Sequence, residues 1–342
     1  MSQRPAEPIA GTLAELTAQK RRVALVGLAK NTGKTEALAA LLRELETIGR
    51  NVGVTSVGRD GEERDVIEPL IEKPRITLRE GSLVATTDAL LRASGLSHDL
   101  LERTDFRTPL GQVVVARLRR AGAIEVAGPS AASQVQMVSN AMLGHGAEQV
   151  LIDGAIDRRA ASSPQISDGL IMSTGAVLSG DPADVVKQTC AAVELVRLPV
   201  ASNLSGAIDL PARFALTSDA EEIGAQLDAY PAARQVNVPG ALPESFLKAL
   251  LAAAHRRRRT YTVVVADATR VFLADRDVDW FSKQGLDIAV ICPIDLLALT
   301  INPLAPRSHR LDSAHLRGLL RESIDRVPVL DVLDSSYPDA GV

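Results

Sequence analysis

Residues Gly27-Leu-Ala-Lys30-Asn31-Thr32-Gly33-Lys34-Thr35-Glu36 place two glycines, a lysine and a hydroxyl at a spacing suited to holding phosphate. The chemistry is anion capture. Backbone N–H groups of a glycine-rich turn and of a helix N-terminus converge on phosphate oxygens. Gly33 admits the main chain closely, Lys34 brings charge to the outer phosphates, and the Thr35 hydroxyl is a ligand for Mg²⁺. Gly27, Lys30, Asn31, Thr32 and Glu36 complete the candidate nucleotide-binding set. Further along, Gln149-Val-Leu-Ile-Asp153-Gly-Ala155 is an apolar run ending in an acid. Such a strand beside a phosphate loop sets its carboxylate near Mg²⁺ and its waters, so Asp153 is a candidate metal and catalytic residue. An aspartate capping a loop is the plain alternative.

These residues need a strand, a turn and a helix to hold them. Arg22–Gly27 reads as a buried strand, and Leu38, Leu41, Leu42, Leu45 and Ile48 follow helical spacing after Gly33. Residues 51–57 read as a second buried strand, so the unit is βαβ and calls for a parallel sheet. The alternation continues with strands at 82–87, 112–117, 124–127, 149–153 and 169–173. Helices are expected at 88–94, 97–103, 133–144 and 182–197. After a Gly- and Pro-containing stretch at 202–211 it restarts, with strands at 213–216, 235–238, 261–266, 287–291, 297–301 and 327–332, and helices at 243–254 and 312–322; Ser218 and Glu221 read as a capping box. The expected fold is an α/β P-loop NTPase with a mostly parallel sheet flanked by helices, followed by a second, smaller α/β domain. The boundaries are an N-terminal extension at 1–21, a nucleotide-binding domain at 22–202 and the second domain at 203–342.

Composition narrows the function classes. In 342 residues, 38 Lys+Arg stand against 42 Asp+Glu, a formal net charge of −4, which argues against duplex-DNA binding. One Trp, three Tyr and five Phe make a base-stacking platform for single strands unsuited, so no nucleic-acid partner is expected. The two cysteines, Cys190 and Cys292, cannot build a disulfide framework, and a reducing cytoplasm is the expected compartment. Met1–Lys20 lacks the basic-then-apolar pattern of a secretory signal. No run approaches the roughly 18 apolar residues of a membrane span. The basic run His255-Arg-Arg-Arg-Arg259 follows an Ala/Leu helix, where cations complement the C-terminal dipole; a partner-binding patch is the alternative. Thr300-Ile-Asn302-Pro303 ends a strand and reads as a Pro-rich turn, with a recognition loop as the other reading.

The glycine seven positions before Lys34 is similar to that of dethiobiotin synthetase and of cobyric acid synthase-type amidotransferases. The signature lysine of the related MinD/ParA ATPases would fall at Ala29. In this class the end of the second strand faces the γ-phosphate. Within Thr55-Ser-Val-Gly-Arg59-Asp60-Gly-Glu62, the resemblance implies that Asp60 holds Mg²⁺ and takes part in catalysis, and that Arg59 touches phosphate or substrate; an Asp-Gly turn is the alternative. No Asn-Lys-x-Asp is present to read guanine, so ATP is favoured over GTP.

A wider set of motifs follows in order: Val26–Thr35, Thr55–Glu62, Lys73-Pro-Arg75, Thr108-Pro-Leu-Gly111, Ala127-Gly-Pro-Ser130, and Ile152-Asp-Gly-Ala155 with Ser163-Pro164. Together they resemble the P-loop reactivase subunit family of lysine 5,6-aminomutase over residues 22–200. The resemblance implies a chaperone-like ATPase using ATP and Mg²⁺ through Lys34, Thr35, Asp60 and Asp153. Its partners would be an adenosylcobalamin- and PLP-dependent aminomutase and a companion reactivase subunit, with a homodimer left open. Two other readings stand beside it: a dethiobiotin synthetase-like ligase or amidotransferase acting on a small carboxylate, and a nucleotide-gated protein-binding module.

Overall fold

The computed structural model describes residues 11–57, 75–155, 162–202, 206–211, 219–306 and 308–337. Helix α1 (Leu13–Leu16) precedes strand β1 (Arg22–Gly27), whose apolar run is buried along its length, as a central parallel strand requires. Helix α2 (Lys34–Thr47) buries Leu38, Leu41, Leu42 and Leu45 and leads to β2 (Val52–Ser56). Then come β3 (Ile76–Leu78), β4 (Leu83–Thr87), α3 (Asp88–Ala93), β5 (His98–Thr108), β6 (Gly111–Leu118), β7 (Gly122–Ile124), α4 (Ala132–Gly144), β8 (Gln149–Ala155), β9 (Gly169–Gly175) and α5 (Pro182–Val196). The chain continues through β10 (Ile208–Asp209), α6 (Ala220–Ala229), β11 (Gln235–Asn237), β12 (Leu242–Pro243), α7 (Glu244–Arg256), β13 (Tyr261–Val265), β14 (Val271–Phe272), α8 (Val278–Lys283) and β15 (Leu286–Val290). It closes with β16 (Leu296–Asn302), α9 (Ser313–Ser323) and β17 (Val329–Leu330).

The protein is α/β, built on a large, mostly parallel sheet flanked by helices. The sheet has nine strands in the order β17-β16-β9-β1-β8-β2-β4-β6-β5. From β17 to β4 every neighbouring pair is parallel; β6 runs antiparallel to both β4 and β5. Val52 and Val54 of β2 join α1 and α2 in one core, whereas a side chain on the intervening Gly53 would meet Met142 of α4 at 2.9 Å. Alternate residues of a strand point to opposite faces, so α2 and α4 cover opposite sides of the sheet. The chain leaves β1 toward β2 on one side, and strands β9, β16 and β17 build the other. The sheet order therefore reverses beside β1, and such a switch point leaves a crevice outside the carboxyl ends of the strands.

The chain divides into two compact units, one of residues 1–189 with 296–342 and the other of residues 190–295. The second unit holds a four-stranded parallel sheet, β10-β11-β13-β15, with Phe246 and Phe281 fully buried in its core. This corrects the boundary expected at 203–342. The strand expected at 297–301 pairs with β9 in the large sheet, so the second unit is an insertion. Hydrophobic alternation marks a strand but does not name its sheet, which is why the return was missed. The expected extension at 1–21 is also corrected in part: Leu13 and Ala14 are buried in the first core.

The helix expected at 97–103 is strand β5. Leu-Leu-Glu-Arg favours helix locally, but pairing with apolar β6 across the Thr108–Gly111 turn prevails. The strand expected at 124–127 ends at Ile124, where β7 pairs with β3. Asp219 caps α6, accepting from Glu221 N and Glu222 N, and Ser218 lies outside the described residues. The strand expected at 213–216 lies outside the described residues.

Candidate functional site

The glycine-rich loop leaves β1 at the switch point and enters α2. Its first N–H, that of Leu28, donates to Ser173 O of β9 at 2.9 Å. Inside the loop the buried Thr32 donates through Oγ1 to Ala29 O at 3.0 Å. A side chain at Gly27 would strike that Thr32 hydroxyl, so the turn closes over a position only glycine fits. Asn31 and Gly33 both take positive φ, +64° and +89°. Asparagine tolerates the left-handed region, and at Gly33 a β-carbon would also come within 2.8 Å of Asn302 Cβ.

Gly33 is the N-cap of α2 and has no side chain to cap it. The first-turn N–H groups, belonging to Lys34, Thr35 and Glu36, have no intrahelical acceptor. They lie at the positive end of a 14-residue helix, an arrangement that attracts anions. Lys34 and Thr35 are half-buried; Lys30, Asn31 and Glu36 are exposed.

Asp153 reaches this loop from β8, the direct neighbour of β1, where it sits opposite Leu25 on one side and Ser56 on the other. Lys34 Nζ lies 2.6 Å from Asp153 Oδ1. That oxygen is shielded from solvent, and the Lys34 ammonium is its partner. The Asp153 carbonyl accepts from Val57 N at 2.9 Å, which fixes the end of β2 beside it. Arg59 and Asp60 lie outside the described residues. Among the described residues no three His, Cys, Asp or Glu side chains converge on a metal position. Mg²⁺ commonly takes one or two carboxylates, waters and phosphate oxygens rather than a full protein cage. Asp153 and Thr35 fit that donor set, because Asp153 Oδ1 is a shielded carboxylate oxygen that already faces a positive charge, the Lys34 ammonium.

Sequence reasoning read Asn302 as part of a Pro-rich turn or a recognition loop and missed its contact with the glycine-rich loop, 271 residues away in the chain. Asn302 is buried at the end of β16. Its Nδ2 donates to Asn31 O at 3.2 Å, and its Oδ1 accepts from Leu304 N at 3.0 Å. Ser173 also went unnoticed; its hydroxyl shares a 2.7 Å hydrogen bond with Thr300.

The Ala127-Gly-Pro-Ser130 segment reaches the same carboxyl edge. Gly128 N donates to Ser56 Oγ at 2.9 Å and Ala127 N to Thr86 Oγ1 at 3.0 Å, tying it to β2 and β4. The basic run at 255–259 serves its own unit. Arg257 grips Asp228 with two hydrogen bonds of 2.8 and 2.6 Å, and His255 Nε2 lies 3.0 Å from Gln284 O. Chemically, the loop can neutralise and orient an anion while a carboxylate one strand away stands ready for a cation. No family model, no curated protein and no solved structure matches this chain.

Proposed function

We propose that this protein is a P-loop NTPase that binds ATP with Mg²⁺ and serves as a reactivating, chaperone-like subunit for an adenosylcobalamin- and PLP-dependent aminomutase. The observation that carries the nucleotide reading is Lys34 Nζ at 2.6 Å from Asp153 Oδ1, at the mouth of a strand–glycine loop–helix unit. The loop and α2 amides would hold the phosphates, with Lys34 on the outer ones. Thr35 and Asp153 would hold Mg²⁺, which supplies charge neutralisation to the transferring phosphoryl group. Asp60 and Arg59 belong to this proposal as metal and phosphate contacts. The aminomutase client rests on the ordered motif set from Val26 to Pro164.

Lys34→Ala is expected to weaken ATP binding by about 10- to 100-fold, the value of a lost charged contact, with the fold retained. Calorimetric titration and circular dichroism check both halves; unchanged affinity would overturn the phosphate-loop reading. The client is tested by mixing the protein and its companion subunit with inactivated aminomutase, ATP, Mg²⁺ and fresh cofactor. Recovery of mutase turnover is the expected result, and no recovery sets that client aside. The Gly27–Lys34 spacing favours, as a second reading, an ATP-dependent ligase for a small carboxylate. ADP release stimulated by such a compound, with no protein partner present, would select it.

A further inference from the structure

We infer that the second unit carries an anion site of its own, in which Arg259, Tyr261 and Arg257 take a phosphate group. The inference goes beyond the nucleotide reading and concerns residues of the unit 190–295 alone. Helix α7 ends in a turn at Arg258, whose φ of +51° lets Arg259 N return to Ala254 O at 3.1 Å. That turn delivers Arg259 and Tyr261, two residues apart, to the start of β13. Tyr261 is only 2% exposed, yet its hydroxyl has no hydrogen-bond partner. Arg259 Nη1 is likewise shielded and unpartnered. Shielded donors left without an acceptor cost free energy, which the oxygens of an anion would return.

The groups around them belong to one cluster. Arg257 is committed to Asp228 by two hydrogen bonds, and its guanidinium lies where a β-carbon on Gly224 of α6 would come within 2.5 Å. The Asp228 carboxyl is held below its ordinary value, first by that hydrogen bond to Arg257 and also by the charge of Arg259. Tyr261 in turn lies within electrostatic reach of Arg257. Arg259 differs from Arg257: it is half-buried, and among the described residues its side chain makes no hydrogen bond and no ion pair, so its guanidinium can turn to admit an anion. Charge sets the class of ligand. Arg256, Arg257, Arg258 and Arg259 meet two carboxylates, Asp228 on Arg257 and Glu221 at 3.7 Å from Arg256, so two positive charges are left over. A carboxylate ligand would balance one of them. A phosphate group, with about −1.5 to −2 charge at pH 7, balances both and suits guanidinium donors.

The test titrates inorganic phosphate, glycerol phosphate and acetate by calorimetry into the full chain carrying Lys34→Ala, so that the glycine-rich loop lacks its cation. Phosphate is expected to bind, and Arg259→Gln added to that chain should weaken it about tenfold or more, the value of a charged hydrogen bond. Tyr261→Phe, which keeps the ring and deletes only the hydroxyl, should weaken it about fivefold. Neither substitution removes a bond from the unliganded protein, so without phosphate both variants should unfold at the same denaturant concentration as the parent or higher. Preference for glycerol phosphate would assign a phosphorylated metabolite, and equal binding of inorganic phosphate a free ion; either supports the site. Phosphate affinity unchanged in both variants, or acetate bound as tightly as phosphate, overturns it. Earlier unfolding of both variants without phosphate also overturns it, because it would make the cluster a structural one.

Discussion

Three carboxyl groups show how placement decides what the same chemistry does. Asp153 meets an ammonium at the mouth of the sheet. Glu44 lies inside the first core, accepting from Ala14 N at 2.6 Å and from Tyr337 Oη at 2.7 Å. Burial pushes its pKa above the usual carboxylate value, outweighing the bonds that pull it down. A raised folded-state pKa gives stability at low pH that is lost as pH climbs from the unfolded value of 4.5 through the folded one. Glu44→Gln should lack that fall in denaturant titrations across the window; an unchanged profile would place the dependence elsewhere. Glu244 has the opposite sign. Burial opposes its ionisation, but Lys248 and the N–H groups of Ala274, Asp275 and Arg276 hold its pKa down to about 2. Its stabilisation is present above 4.5 and is lost as pH falls toward 2. Glu244→Ala should remove on the order of 2 kcal/mol at neutral pH and little near pH 2, measured by denaturant unfolding.

At the scale of elements, the loop is held by strands on one side of the switch point. β9 takes the Leu28 N–H, and β16 supplies Asn302 to Asn31. Asn302→Ala keeps the β-carbon beside Gly33 but deletes both side-chain hydrogen bonds. In the proposed reading it should weaken ATP binding by about 5- to 10-fold, the value of one to two neutral hydrogen bonds, with the sheet intact. Full affinity in a calorimetric titration would show that the loop holds its shape without β16. Gly33→Ala meets both positive φ and the Asn302 β-carbon and should cost about 1–3 kcal/mol of stability as well as binding. The turn between β5 and β6 shows a motif with a local explanation. Thr108 Oγ1 accepts from Leu110 N at 3.1 Å and donates to Gly111 O at 3.3 Å, so Thr108-Pro-Leu-Gly111 shapes a hairpin.

For the whole molecule, two hydrophobic cores imply two unfolding units. Saturating MgATP binds the first unit in the proposed reading, and at about 100 times its Kd it should raise that unit's stability by about 2.7 kcal/mol. Differential scanning calorimetry should show one transition moving up and the other staying in place. Equal movement of both would mean that the units unfold together. The second unit is inserted between β9 and β16, beginning within α5, so the chain that leaves β9 returns to its neighbour only after passing through a second core.

The sequence alone determined the strand–glycine loop–helix unit, because glycine spacing, a buried apolar run and helical periodicity are local properties. It also determined that Asp153 belongs to a buried strand, although that strand, read as ending at 153, runs on to Ala155. Which strand lies beside β1, that 296–302 and 329–330 rejoin the first sheet, and that Asn302 props the loop were decided by tertiary structure. Parallel pairing joins residues far apart in the chain, and alternation is the same whichever neighbour a strand takes. The expected helix at 97–103 shows the same limit from the other direction: local helix preference yielded to a β-hairpin whose partner strand needed an edge.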